Sequence, residues 1–128
     1  MTKFWGSRFK KGSDSLADEF SFSINYDYRL AKYDCLVSMA HAKMLGKNKI
    51  ISHAEAQNIV KGLNSLLKKI ENGSFKFDES AEDIHTNIQS ALKQEIGDAA
   101  DKLHTARSRN DLIATDMKLY AISVYQEI

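Results

Sequence analysis

Proline is absent from the sequence and cysteine occurs once, at Cys35. The lone cysteine excludes an internal disulfide and any zinc site built from several cysteines. It stands beside Leu36 and Val37 in a helical pattern, which predicts a packed thiol. A surplus of charge is missing too: 18 Lys and Arg against 17 Asp and Glu give a net charge of +1. No global field is there to recruit nucleic acid or a membrane surface, so any anion specificity must be local. Met1 to Lys11 is charged, with neither a signal-peptide core nor a membrane span, and a reducing, cytoplasmic setting is the expectation. No sustained period-2 alternation occurs, and the β-branched residues are scattered. With the helical periodicities below, these absences predict an all-α chain of one domain's size.

What is present is a series of helical patterns between stops. Residues 1–22 read as an arm in which Phe4, Trp5, Phe9, Phe20 and Phe22 alternate with Arg8, Lys10 and Lys11. Its aromatics are expected to dock on the body rather than to stack on nucleic-acid bases. A first helix is expected from the Ser23–Asp27 entrance to about Leu45, burying Leu30, Tyr33, Val37, Ala40 and Met44 and ending at Gly46 and Asn48. His41 adjoins that stripe and reads as a structural histidine. A second helix opens on the capping box Ser52-His53-Ala54-Glu55, buries Ala56, Ile59, Leu63, Leu66, Leu67 and Ile70, and stops at Asn72-Gly73. Phe75 and Phe77 of the linker Ser74 to Glu79 are expected to be pinned to the body. A third helix is expected from a box at Ser80-Ala81-Glu82-Asp83, with Ile84, Ile88, Ala91, Leu92 and Ile96 inward and a stop at Gly97. His85, beside Asp83, suits a general base, a metal ligand or a positioned donor. Its offset from the apolar face predicts a plain surface residue instead.

The conspicuous stretch is Leu103-His104-Thr105-Ala106-Arg107-Ser108-Arg109-Asn110-Asp111. Ser108 and Asp111 form a capping box, and a long apolar-periodic run follows from Leu112. A helix N-terminus carries unpaired N–H groups and partial positive charge. With Arg107 and Arg109 added, the stretch reads as a seat for a carboxylate or a phosphate. A capped helix whose arginines pair with surface acids reads the same residues equally well. In the fourth helix Leu112, Thr115, Leu119, Ile122 and Gln126 share one face, while Ile113, Met117, Tyr120 and Val124 spread apolar surface to another. The periodicity is still running at Gln126-Glu127-Ile128, as in a helix cut before its end.

Four motifs carry a resemblance. Phe4-Trp5-Gly6-Ser7-Arg8-Phe9, Phe20-Ser21-Phe22-Ser23 with Asp27, Glu82-Asp83-Ile84-His85, and His104 to Asp111 with Ala114-Thr115-Asp116 occur in this order. The chain resembles the N-terminal part of the argininosuccinate lyases, in the fumarase/aspartase superfamily, with their delta-crystallin relatives. Sister families share the Asn-Asp but not the Arg-Ser-Arg before it. The resemblance implies the all-α N-terminal domain of that fold and three parts: an arm over 1–22, a helical domain over 23–107, and the start of a central-bundle helix over 108–128. It implies reversible elimination of fumarate from argininosuccinate with release of arginine, no cofactor, no metal, and a homotetramer with neither nucleic-acid nor membrane partners. It places substrate contacts on Ser23, Asp27, Asp83, His85, Ser108, Arg109 and Asn110, with Arg107 and Thr105 supporting them. The family's catalytic histidine and mobile serine loop match nothing in these residues, so no catalytic group is expected here and the chain alone should be inactive. Lyase action on another succinyl substrate, or a non-catalytic helical role, are the alternatives. Ser7 and Ala106 stand where the family usually has glycine. At Ala106 a positive φ would mean strain, and a negative φ would be harmless.

Overall fold

A computed structural model describes residues 14–127. Among them are six α-helices: α1 (Ser15–Ser21), α2 (Ile24–Asp27), α3 (Ala31–Lys47), α4 (His53–Glu71), α5 (Ile84–Ile96) and α6 (Arg109–Gln126), and no strand. Two 3-10 segments, Tyr28–Leu30 and Gly97–His104, join α2 to α3 and continue α5. The all-α expectation holds.

The core lies where α3, α4 and α5 meet. Ile59, Leu63, Leu66, Ile84, Ile88 and Leu92 are fully or almost fully buried there, beside Ala42 and Leu45. Each such aliphatic side chain contributes about 1.5–3 kcal/mol by leaving water. Glycine sets the close approaches: a Cβ at Gly46 would lie 2.6 Å from that of Ala56, and one at Gly62 would lie 2.6 Å from Leu92. Gly46 therefore sits inside α3 rather than ending it, and the turn is made at Lys49, with φ +57°. The expected stop at Gly73 is real, at φ +74°, and so is that at Gly97, at φ +71°. Phe75 and Phe77 pack against the core as expected, their rings 5.0 Å apart.

Several expectations are corrected. The first helix is interrupted by the 3-10 turn Tyr28–Leu30, and Ser23 gives no side-chain cap: its backbone is in the helical region (φ −108°, ψ −5°) rather than extended, and its hydroxyl donates to Asp27 Oδ2 at 2.6 Å. The buried stripe of α3 is rotated from the one expected. Ala31, Asp34, Cys35, Ser38, Met39, Ala42 and Leu45 face inward, whereas Ala40 and Met44 are exposed. The inward face carries two polar residues, so apolar periodicity points to the wrong side. The third helix starts at Asp83, not Ser80. Asp78 Oδ1 captures both the Ser80 hydroxyl (2.6 Å) and its amide (2.9 Å), and Asp83 takes the cap by accepting from the Thr86 amide at 2.8 Å. In the arm, Phe22 is half-buried but Phe20 is 93% exposed, so it does not dock. Phe4, Trp5, Arg8, Phe9, Lys10 and Lys11 lie outside the described residues.

α6 leans on α3 through the edge-on ring pair Tyr33–Tyr120, 5.9 Å between centroids. Only Leu112 and Asp116 of α6 are buried, and Met117, Ile122 and Tyr125 face solvent. Just ahead of this helix Ala106 has φ +54°. A side chain in the left-handed region costs about 1–2 kcal/mol, against about 0.5–1 kcal/mol for the extra chain entropy of glycine. Ala106→Gly is therefore expected to stabilise the chain by about 0.5–1 kcal/mol, read as a higher urea midpoint at unchanged slope. A lower midpoint would show that the backbone at 106 carries no strain.

Candidate functional site

Two helix starts, those of α5 and α6, stand side by side with the Ser23–Asp27 turn. Asp27 ties the turn to α5: its two carboxylate oxygens accept from the Ile84 amide at 3.2 and 3.3 Å. The Ser23 amide donates to the Glu82 carbonyl at 2.8 Å. Burial pushes the Asp27 carboxyl above its usual range, against the opposing pull of the Ser23 and Ile84 hydrogen bonds.

Arg109 ties α5 to α6. Its Nη1 lies 3.1 Å from Asp83 Oδ2 and 3.7 Å from Glu82 Oε1, and its Nη2 donates to Thr86 Oγ1 at 3.2 Å. Asp83 uses its other oxygen for the cap of α5, accepting also from Thr86 Oγ1 at 2.8 Å. An arginine held in this way is fixed before any ligand arrives, which lowers the ordering cost of binding. Of the two readings of its arginine, pairing with acids is what the structure shows, but Asp83 is a buried partner rather than a surface one.

At the start of α6 the capping box closes as expected. Ser108 Oγ accepts from the Asn110 amide at 3.2 Å, and Asp111 Oδ1 accepts from the Ser108 amide at 2.7 Å. Capping uses a lone pair of Ser108, so its O–H proton remains available to an anion. Ser23 differs, because its proton is committed to Asp27. Asn110 is exposed beside Ser108. The Thr105 carbonyl accepts from His41 Nε2 at 2.9 Å, which pins the approach to α6 and gives His41 the structural role expected of it.

His85 departs from the surface position expected of it. It is 5% exposed, and its Nδ1 donates to Asp34 Oδ2. Asp34 Oδ1 accepts from Ser38 Oγ at 3.3 Å, and Ser38 Oγ accepts from Arg107 Nη2 at 2.9 Å. Asp116 of α6 is 0% exposed, with Oδ2 4.0 Å from His85 Nδ1. Neither of its oxygens has a hydrogen-bond partner among the described residues, and neither have Arg107 Nε and Nη1. Burial, reinforced by the charge of Asp34, pushes the Asp116 carboxyl up to about 7. Burial disfavours the His85 cation, but the bond to Asp34 and the charges of Asp34, Asp83 and Asp116 outweigh it and raise its pKa. Burial also pushes up the Cys35 thiol, in keeping with a packed side chain.

Sequence reading missed Asp34 and Ser38, and it placed Asp116 in a motif without giving it a role. The available signal was that Asp34 and Ser38 lie four apart, in register with Ala31, Cys35 and Ala42. Asp34, His85 and Asp116 hold ligand atoms within 4.8 Å of one another, a donor set that could take a cation. Two features argue for a proton instead: Asp34 already bonds His85 Nδ1, and the guanidinium of Arg107 supplies positive charge to both acids. A groove of about 820 Å³ beside α5 is lined in part by Glu82, Thr86 and Arg109, but Ser23, Ser108 and Asn110 do not line it.

A family model described as a lyase matches residues 7–128. The argininosuccinate lyase of Streptococcus suis (strain 05ZYH33) is 55% identical over 118 residues, covering 92% of this chain and 25% of that protein. Those of Heliobacterium mobile and Syntrophotalea carbinolica are 50% and 48% identical, over 92% and 98% of this chain and 26% and 27% of their own lengths. The chain thus spans about a quarter of the length of these curated relatives. With the model matched over nearly all its residues, the chain belongs to this lyase family.

Proposed function

We propose that this chain supplies the N-terminal, carboxylate-binding part of an argininosuccinate lyase, which splits argininosuccinate reversibly into arginine and fumarate. The observation that carries the reading is Arg109, fixed by Asp83 and Thr86 where the starts of α5 and α6 meet. Elimination removes a proton next to a substrate carboxylate, and negative charge develops there before the C–N bond breaks. Donors already in place around that carboxylate stabilise the transition state more than the ground state. In this reading Arg109, the Ser108 hydroxyl and Asn110 hold the fumarate end. Ser23, Asp27, Asp83 and His85 line its edge, and Arg107 and Thr105 support the loop. Residues 1–22 act as an arm, 23–107 as the helical domain, and 108–128 as the first strut of a central bundle in a cytoplasmic homotetramer. The bare apolar positions Met117, Ile122 and Tyr125 support a bundle neighbour for α6. No residue here serves as the catalytic acid or base, and no cofactor is needed.

The test is fumarate release, followed by its ultraviolet absorbance, from two proteins. The 128-residue chain alone is expected to give none. A hybrid in which this chain replaces the matching region of the Streptococcus suis relative is expected to release fumarate from argininosuccinate. In the hybrid, Arg109→Lys should lower kcat/KM by about 30-fold, because a point charge cannot offer the guanidinium fork. A hybrid that folds and assembles but acts on another succinyl compound, or on none, overturns the assignment.

A further inference from the structure

The cluster around His85 is built from three helices and reaches the loop that carries the seat. Asp34 and Ser38 come from α3, His85 from α5, Asp116 from α6, and Arg107 from the turn before α6. The bonds converge on Asp34: Arg107 Nη2 donates to Ser38 Oγ, Ser38 Oγ donates to Asp34 Oδ1, and His85 Nδ1 donates to Asp34 Oδ2. A carboxylate that accepts from one ring nitrogen fixes both the ring's orientation and its tautomer. We propose that Asp34 is the positioning residue of His85, holding Nδ1 as the inward donor and the ring as an imidazolium, with Asp116 as the second acid that keeps this cation. His85 is then not a base. Its other ring nitrogen, Nε2, is a charged donor, and its use toward a substrate carboxylate rests on the lyase reading above.

Charge accounting supports this state. The groups facing His85 include an acid from each neighbouring element: Asp27 at the end of α2, Asp34 on α3, Asp83 at the start of α5 and Asp116 on α6. Two arginines stand among them: Arg109 holds Asp83, and Arg107 faces Asp34 and Asp116 and leaves two of its donors unused. Above about pH 7, where Asp116 gives up its proton, two buried carboxylates, Asp34 and Asp116, thus meet two cations, Arg107 and a protonated His85. A neutral His85 would leave an excess negative charge in a site with both Asp116 oxygens already without partners, which is the costlier state. Arg107 also links this balance to Ser108, one residue away, so the cluster fixes the loop as well as the ring.

The test is a pH titration of the histidine ring nitrogens by 15N NMR on the whole 128-residue chain. In the parent chain His85 is expected to keep both ring protons above the ordinary 6.5, with a slowly exchanging Nδ1 proton. Asp34→Asn is expected to lower the His85 midpoint by about one pH unit, tenfold in proton affinity, with the helical circular dichroism retained. Should that variant fail to fold, Asp116→Asn gives the second reading, with an expected fall of about half a unit, or threefold. A role limited to packing would leave the midpoint unmoved. A parent His85 that titrates at or below its ordinary value, or a midpoint indifferent to whichever variant folds, overturns the proposal. No substrate enters this experiment, so its failure leaves the lyase reading standing, and a failed fumarate assay leaves the titration standing.

Discussion

Asp116→Asn is expected to stabilise the chain above about pH 7, by an amount that fades below about pH 4. The folded carboxyl is raised from 3.8 to about 7 by burial and by Asp34. Below the lower value both folded and unfolded chains hold the proton, and the site costs nothing. As pH rises between the two values the unfolded chain releases its proton while the folded chain keeps it, so stability drains away. At about 1.4 kcal/mol per pH unit the whole loss is on the order of 4 kcal/mol. An asparagine cannot ionise, and its amide can donate to the neighbouring Asp34. His85 adds a slope of the same sign. Its raised pKa gives stability that is full below the unfolded value and lost as pH rises through the folded one. Glu55 lies outside this window: its lowered carboxyl, at about 2, acts only in acid. Urea unfolding of parent and variant at several pH values between 4 and 8 reads the difference directly. A difference that stays constant across this range would mean that Asp116 is ionised or uncharged throughout, and the buried-acid account would fail.

The elements that carry their own signals were legible in the sequence. Ser52 with Glu55, and Ser108 with Asp111, close the capping boxes that their spacing announces. Gly73 and Gly97 stop helices by taking positive φ. These are local interactions, decided within four residues. The α3 stripe failed because burial there is decided by partners far along the chain. Asp34 is buried by His85, 51 residues away, and Ser38 is matched by Arg107, 69 residues away. Polar residues on a helix surface and polar residues in a satisfied core network have the same letter pattern. The Ser80 box failed through local competition, since Asp78 sits two residues before it and captures the hydroxyl first. Within the candidate site, the Arg-Ser-Arg-Asn stretch was conspicuous in sequence, but its coupling to Asp83 needed the fold to bring α5 and α6 together. The same packing turned His85 from an edge residue into the centre of a buried charge cluster.

Asp83→Ala is expected to cost the chain about 3 kcal/mol, and Asp83→Asn only about half of that. The carboxylate does two jobs at once. It caps α5 through the Thr86 amide and hydroxyl, both at 2.8 Å, and it holds Arg109 at 3.1 Å. A lost cap costs about 1 kcal/mol, and a buried acceptor removed from a charged donor costs about 1.5–3 kcal/mol more. Asparagine keeps an oxygen for the cap and gives up only the charge, so it separates the two contributions. Arg109 is partly exposed, which screens the pair and holds the expected coupling with Asp83 to about 1–2 kcal/mol in a double-mutant cycle with Arg109→Met. In the hybrid enzyme the two variants should behave alike in a way that stability does not. Both release the guanidinium from its acid, so both should weaken fumarate release, even though asparagine leaves the helix capped. Equal unfolding costs for Asn and Ala would remove the charge from the argument. Full activity in Asp83→Asn would show that Arg109 does not need to be held in place, and the prearranged seat would go with it.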